Sequence, residues 1–346
     1  MSRQLVKTGY SLGVSNFRLR NSIGTLVAIA VCLSEAVAAP SISREGINFQ
    51  VIGNAGNRAI NADESGPLRV GRGAVGYEYG LSTTELTVNE YYKFVQAYGA
   101  VARYPEGSLL GKGIYLTSET TSGYGINSQL AQHAATLTWR NAARFCNWLH
   151  NGRVNEAWAF ERGAYDVSTF TSNPDGTLND QVTRAPGAKF WIPSLDEWLK
   201  GVYFDPNRNG HDQGGYWLRP GARNEYLITG EPAFGGETDV GWNPDDQAVP
   251  FVPVGSYSQI TGPWGLLDTS GGEREWSEEF SAGTARIALG SKRNDPFWYM
   301  SDDIAWEGVN GHPEISVAGF RIATEIPSPG VVLPVLVVLL GRRSRQ

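Results

Sequence analysis

Asp268 and Glu275 lie seven residues apart, with the pair Gly271-Gly272 between them. Two adjacent glycines let a backbone turn tightly enough to bring both acids to one place and aim carbonyls inward. Like charges held that close repel, and a cation relieves the repulsion. Hard oxygen donors in flexible geometry suit calcium, whereas magnesium demands stricter octahedral order. The alternative is a plain glycine turn with exposed acids. The other residues with chemistry to offer are thiols and imidazoles. The chain holds two cysteines, Cys32 and Cys146, and four histidines, His133, His150, His211 and His312. The histidines show no metal-ligand spacing. Cys146 shares one helical face with Trp139, Ala142, Ala143 and Leu149. Its thiol therefore points inward and reads as a small core hydrophobe rather than a nucleophile.

The elements that would position these groups are few. Thr87-Val88-Asn89-Glu90 is a capping box, in which a hydroxyl and a carboxylate satisfy the free amides of a helix start reciprocally. Val88, Tyr91, Tyr92 and Val95 follow at the spacing of one buried face. A second helix is expected from about Thr138 until Asn151-Gly152 stops it. A third is expected where Ser194 caps and Glu197 takes the capping-box position. Residues 41–76 read as an opening hairpin or meander. From about 205 to 262 the chain is rich in Gly, Pro, Asn and Asp, and so long an irregular stretch needs tight loops, ions or a function to organise it. With 42 glycines and 11 tryptophans among 346 residues, the composition favours a loop-rich fold around a sizeable core.

Both ends read as address labels. Residues 1–38 run from basic (Arg3, Lys7, Arg18, Arg20) through apolar (Ile23 to Leu33) to small (Ala36-Val37-Ala38). This is the order of a secretory signal peptide, with cleavage expected after Ala38. The apolar run is too short for the alternative, an uncleaved anchor, which needs roughly 20 residues. Residues 327–346 place Pro327-Ser328-Pro329 before the apolar run Val331 to Leu340 and then Arg342, Arg343 and Arg345. Such a segment stalls in a membrane with its arginines on the cytoplasmic side; the alternative is a frayed tail. Setting aside the leader's four basic residues and one acid, and the three arginines of the tail, leaves 22 basic and 34 acidic side chains, a net of −12. That charge argues against nucleic acid as a partner. Cys32 leaves with the leader, so the exported body, residues 39–326, has one thiol and no intramolecular disulfide.

Five segments in order carry a resemblance. Glu85-Leu86-Thr87-Val88 through Tyr91 comes first, then Trp139 through Leu149 with Phe145-Cys146 and Trp148-Leu149. Phe190-Trp191-Ile192-Pro193-Ser194 through Glu197-Trp198 is third, and Gly262-Pro263-Trp264-Gly265-Leu266-Leu267-Asp268 through Glu275-Trp276 is fourth. Gly319-Phe320-Arg321-Ile322-Ala323 closes the set. Together, over roughly residues 70–325, they resemble the formylglycine-generating-enzyme-like, or sulfatase-modifying-factor, family. The tail resembles a degenerate PEP-CTERM sorting signal, with Ser328 in place of the usual Glu.

The resemblance implies an α+β class domain: an irregular C-type-lectin-like fold with few regular elements. It also implies two sites. In the aerobic enzymes two cysteines before the closing Gly-Phe-Arg bind copper(I), for which soft thiolates are the right ligands. Here Gly290-Ser291 to Phe320 holds no cysteine, so copper is not expected. The second implied site is a structural calcium, held by side chains at Asp268 and Glu275 and carbonyls at Gly271 and Glu273. The sequence departs from the family at Gly272, where Asn is favoured, and at Arg274, where Trp is. The expected function is an exported, non-catalytic surface or secreted protein that binds a glycan or peptide and passes through the envelope's sorting machinery with transient membrane association. Trp217, Trp242, Trp298 and Trp306 are its candidate stacking platforms. The alternative is a formylglycine-generating-type oxidoreductase, or an accessory factor to one.

Overall fold

The computed structural model describes residues 40–101, 107–241, 252–293, 295, 302–306 and 308–327, all within one compact unit spanning 38–346. The leader and sorting tail read from the sequence, and Trp242 and Trp298, lie outside the described residues.

The chain opens as the expected hairpin. Strands β1 (Ser41–Arg44) and β2 (Ile47–Ile52) are joined by Glu45 and Gly46, both with positive φ (49° and 72°). This is the primed two-residue turn that matches strand twist. β2 pairs with β3 (Tyr79–Ser82). Much further along come β4 (Phe190–Trp191), the antiparallel run β5 (Glu275–Ser281), β6 (Ala285–Leu289) and β7 (Val309–Gly311), and the last strand, β8 (Ala323–Glu325). β8 inserts between β3 and β4, with Ala323 opposite both Leu81 and Trp191, so the main sheet has the order β1-β2-β3-β8-β4. β5, β6 and β7 form a separate sheet, and Leu137–Thr138 pairs with Val317–Ala318. Mixed helices and several small sheets make this the α+β, loop-rich fold that the sequence implies.

The three longest helices among the described residues pack on this frame. α1 spans Val88–Val101. Its capping box forms: Thr87 N donates to Glu90 Oε2 (2.9 Å), and Glu90 N donates to Thr87 Oγ1 (3.1 Å). The buried face is Val88, Tyr91, Phe94, Val95 and Tyr98, with Tyr92 only half-buried. The stripe thus lies slightly off the expected one, because Phe94 and Tyr98 stack into an aromatic cluster with Phe145, Trp148 and Phe160. α2 spans Trp139–His150, capped by Thr138. It is buried on every side from Trp139 to Leu149, including Arg140 and Arg144, rather than on one face. Arg140 is neutralised by Asp180 (2.7 Å), the usual condition for burying a charge. α3 spans Leu195–Tyr203, with both bonds of the Ser194/Glu197 capping box present.

Candidate functional site

Three of the five sequence motifs meet at one buried point. Arg321, fully buried on the segment before β8, spends its whole guanidinium there. It donates to the carbonyls of Ser82 (2.6 Å) and Thr83 (3.0 Å) at the end of β3, and to those of Leu267 (2.8 Å) and Asp268 (3.1 Å). Its Nη2 also donates to Glu275 Oε1 (2.9 Å). The other oxygen of Glu275 accepts from the Trp198 indole on α3 (2.7 Å). Ion pairing and these bonds hold the arginine pKa above its ordinary value despite burial. The geometry is that of a structural clamp: one planar fork ties the main sheet, α3 and the 262–276 segment together.

Asp268 and Glu275 are therefore brought to the same arginine, but not to the same vacancy. Both carboxylate oxygens of Asp268 accept from Gly255 N (2.9 and 2.8 Å). Crowding by protein pushes this acid up to about 6. The turn between the two acids aims three amides at its neighbours, and its Gly272 carbonyl accepts from Arg293 N (3.1 Å). Gly271 N donates to Ser291 Oγ (2.9 Å), Gly272 N to Asp239 Oδ1 (3.0 Å) and Glu273 N to Glu85 Oε1 (3.0 Å). The Glu273 carboxylate is paired with Lys112. A Cβ on Gly272, whose φ is +63°, would strike the Glu85 carboxylate, which accounts for the glycine where the family favours Asn. Asp268, Gly271, Glu273 and Glu275 do not fit a calcium site. One of the two carboxylates is committed to Arg321, and the amides of the turn already satisfy the surrounding acids. Among the described residues no group of three or more His, Cys, Asp or Glu side chains is placed to hold a metal.

Beside the clamp lies a cavity of about 20 Å³ lined by Glu85, Asp239, Asp268, Ser270, Tyr257 and Lys112. That is room for about one water, not for a substrate. Burial pushes the Glu85 acid well above the carboxylate range, and the charges of Glu275, Asp268 and Glu273 push it further. Asp239 is raised by burial too. The roles of Glu85 and Asp239 were not readable from the sequence: Glu85 sat in a motif as a helix lead-in, and Asp239 in the irregular stretch.

The groups with reactive potential are elsewhere and quiet. Cys146 is fully buried, and burial pushes its thiol well above the usual range. His150 Nδ1 accepts from Lys189 N (3.1 Å), and burial lowers its pKa. His312 Nδ1 accepts from Glu314 N (3.3 Å). His211 pairs with Asp212 in solvent. Of the tryptophans read as stacking platforms, Trp217 is half-buried, bonded to Asp205 (3.2 Å) and covered by Arg208 (4.8 Å). Trp306 is half-buried, with its carbonyl taken by Arg69.

Two open grooves stand out among the described residues. One, of about 440 Å³, runs along β1, β2 and the end of β3 past Ser41, Asn48, Gln50, Thr83, Thr84 and Glu90. The other, of about 230 Å³, lies between β7 and Val317–Ala318.

The small sheets, capped helices and buried arginine–glutamate clamp define a formylglycine-generating-enzyme-type domain. Residues 48–326 match the sulfatase-modifying factor enzyme 1-like domain, and the chain belongs to that family. Among solved structures it is similar to CarF (18% identity, 81% of this chain and 98% of that one, TM-score 0.47). It is likewise similar to Treponema denticola variable protein 1 (16%, 83% and 99%, 0.46) and to PvdO from Pseudomonas aeruginosa (13%, 84% and 100%, 0.46). No curated protein sequence matches the chain.

Proposed function

We propose that this chain is an exported, non-catalytic member of its family that uses the scaffold to bind a peptide. The observation that carries the reading is chemical. The segment Gly290 to Phe320 supplies no thiolate, and the only thiol of the body, Cys146, is sealed in α2 and held protonated by burial. The family's copper(I) oxidation needs a pair of thiolates, and the body holds a single thiol, which is buried. A peptide is favoured over a glycan because the larger groove crosses β1, β2 and the end of β3, is lined by amide, hydroxyl and carboxylate groups, and has no aromatic ring. Sugar recognition by stacking needs an exposed ring; hydrogen bonding to an extended peptide does not. Export rests on the leader of residues 1–38, and envelope sorting on the tail of residues 327–346.

The experiment is a paired screen of the purified protein on peptide and glycan arrays, with a copper(I)-loaded sample incubated with a sulfatase-type cysteine peptide. Peptide binding without formylglycine formation is expected. Turnover that requires Cys146 would overturn the non-catalytic reading, and glycan-only binding would overturn the ligand class. N-terminal sequencing of the native protein should return Ala39 or Pro40; an intact Met1 in the cytosol would refute export.

A further inference from the structure

The loop from Arg219 to Gly241 carries an aromatic ring out into water. Phe234 is 86% exposed, at the end of the single turn Pro232–Phe234. The loop is braced rather than loose. Glu237 N donates to Ile228 O (2.7 Å), Gly236 N to Glu231 O (2.9 Å), Gly230 N to Thr238 O (3.0 Å) and the Tyr257 hydroxyl to Gly230 O (3.1 Å). Tyr226 and Ile228 are also mostly exposed. Glu225 and Glu231 add charge at the rim, with no salt bridge among the described residues. A ring on a braced backbone loses little entropy on docking, and exposed apolar clusters mark contact surfaces.

The smaller groove is the complement. Its apolar walls are Trp276, Val309, Val317 and Ala318, and its charged lining is Lys292, Arg274, which Asp295 neutralises (2.7 Å), and Glu273, which is paired with Lys112. Among the described residues β7 is an edge strand of its sheet. Val317 is 53% exposed, and Lys292 is exposed without a salt bridge among the described residues. An apolar knob flanked by Glu225 and Glu231 thus has, on the same chain, an apolar groove flanked by the exposed Lys292, a charge complementarity of the kind that sets register at an interface. Phe234, being open to water, is not seated in its own chain's groove. We propose that the protein self-associates by seating the Phe234 loop of one copy in the Trp276–Val317 groove of another. Knob and groove are different surfaces, so the contact is heterologous. The inference is independent of the peptide-binding reading.

The test is sedimentation of the full-length protein over a concentration series. Self-association is expected. Phe234→Ser should weaken it about 30-fold, or ~2 kcal/mol, the loss of one anchoring aromatic. Val317→Asp, which sets an acid against the acidic knob, should weaken it similarly. Both sites are exposed, so thermal melts should confirm unchanged folding. Mixing the two variants leaves one intact knob facing one intact groove and should give a one-to-one dimer and nothing larger. A monomer at every concentration, or association indifferent to both substitutions, would overturn the proposal.

Discussion

Arg321 shows how much one buried side chain holds together here. It makes bonds to four carbonyls and to Glu275. Removing one partner of a buried ion pair leaves an uncompensated charge, at a cost of about 3–5 kcal/mol. Arg321→Met should therefore lower urea stability by that order, and Arg321→Met with Glu275→Leu should recover part of the loss. The same clamp bears on metal dependence. Since Glu275 is neutralised by Arg321, melts in excess EDTA and in millimolar calcium should coincide; a calcium-dependent rise lost in Asp268→Ala would restore the calcium turn. A third residue sets a pH dependence. Glu278 is buried and accepts from the Tyr165 hydroxyl (2.7 Å) and Arg184 N (2.7 Å). Burial, offset in part by Arg184, pushes it from an ordinary 4.5 up to about 7. The folded state then binds a proton that the unfolded chain has released. Its contribution to stability is full below pH 4.5 and lost as pH rises through about 7. Glu278→Gln should flatten that part of the stability–pH profile, and an unchanged slope would count against it.

At the scale of elements, the helix starts are set by local chemistry. Ser194 Oγ accepts from Glu197 N (3.2 Å), and Glu197 Oε2 accepts from Ser194 N (2.7 Å). Ser194→Ala should cost about 1 kcal/mol in chemical denaturation, the usual loss of a cap. Glu197→Ala should cost more, because that fully buried carboxylate also accepts from the Trp191 indole (3.1 Å) and pairs with Arg184 (2.9 Å). α2 has no outward face. Its polar residues are partnered inside, as where the Asn147 amide donates to the carbonyls of Phe160 (3.0 Å) and Tyr165 (2.8 Å).

At the scale of the whole molecule, the order of the main sheet governs folding. β8, the last described strand, lies between β3 and β4, so the sheet cannot close until residues some 240 positions apart, Leu81 and Ala323, have met. Contacts that distant are slow to form. A chain ending at Phe320 lacks both β8 and Arg321 and should show no cooperative melt. A chain ending at Pro327 keeps both and should melt like the full-length protein. If the shorter chain melts cooperatively, β8 is dispensable and the sheet order is not what holds the fold.

The sequence by itself determined what depends on neighbours along the chain. The capping boxes at Thr87 and Ser194, the stop at Asn151, the opening hairpin and the burial of Cys146 follow from spacing and hydrogen-bond chemistry within a few residues. The ordered motifs carried the family and its fold class. Only the tertiary structure decided what the motif acids do. Asp268 and Glu275 read as a cation pair because the residue that neutralises Glu275 lies 46 positions away, and no local pattern encodes such a partner. The four-sided burial of α2 and the meeting of Glu85 and Asp239 at one cavity were hidden for the same reason. Periodicity reports which face of an element is apolar, whereas the partner of a buried charge is fixed by how distant segments pack.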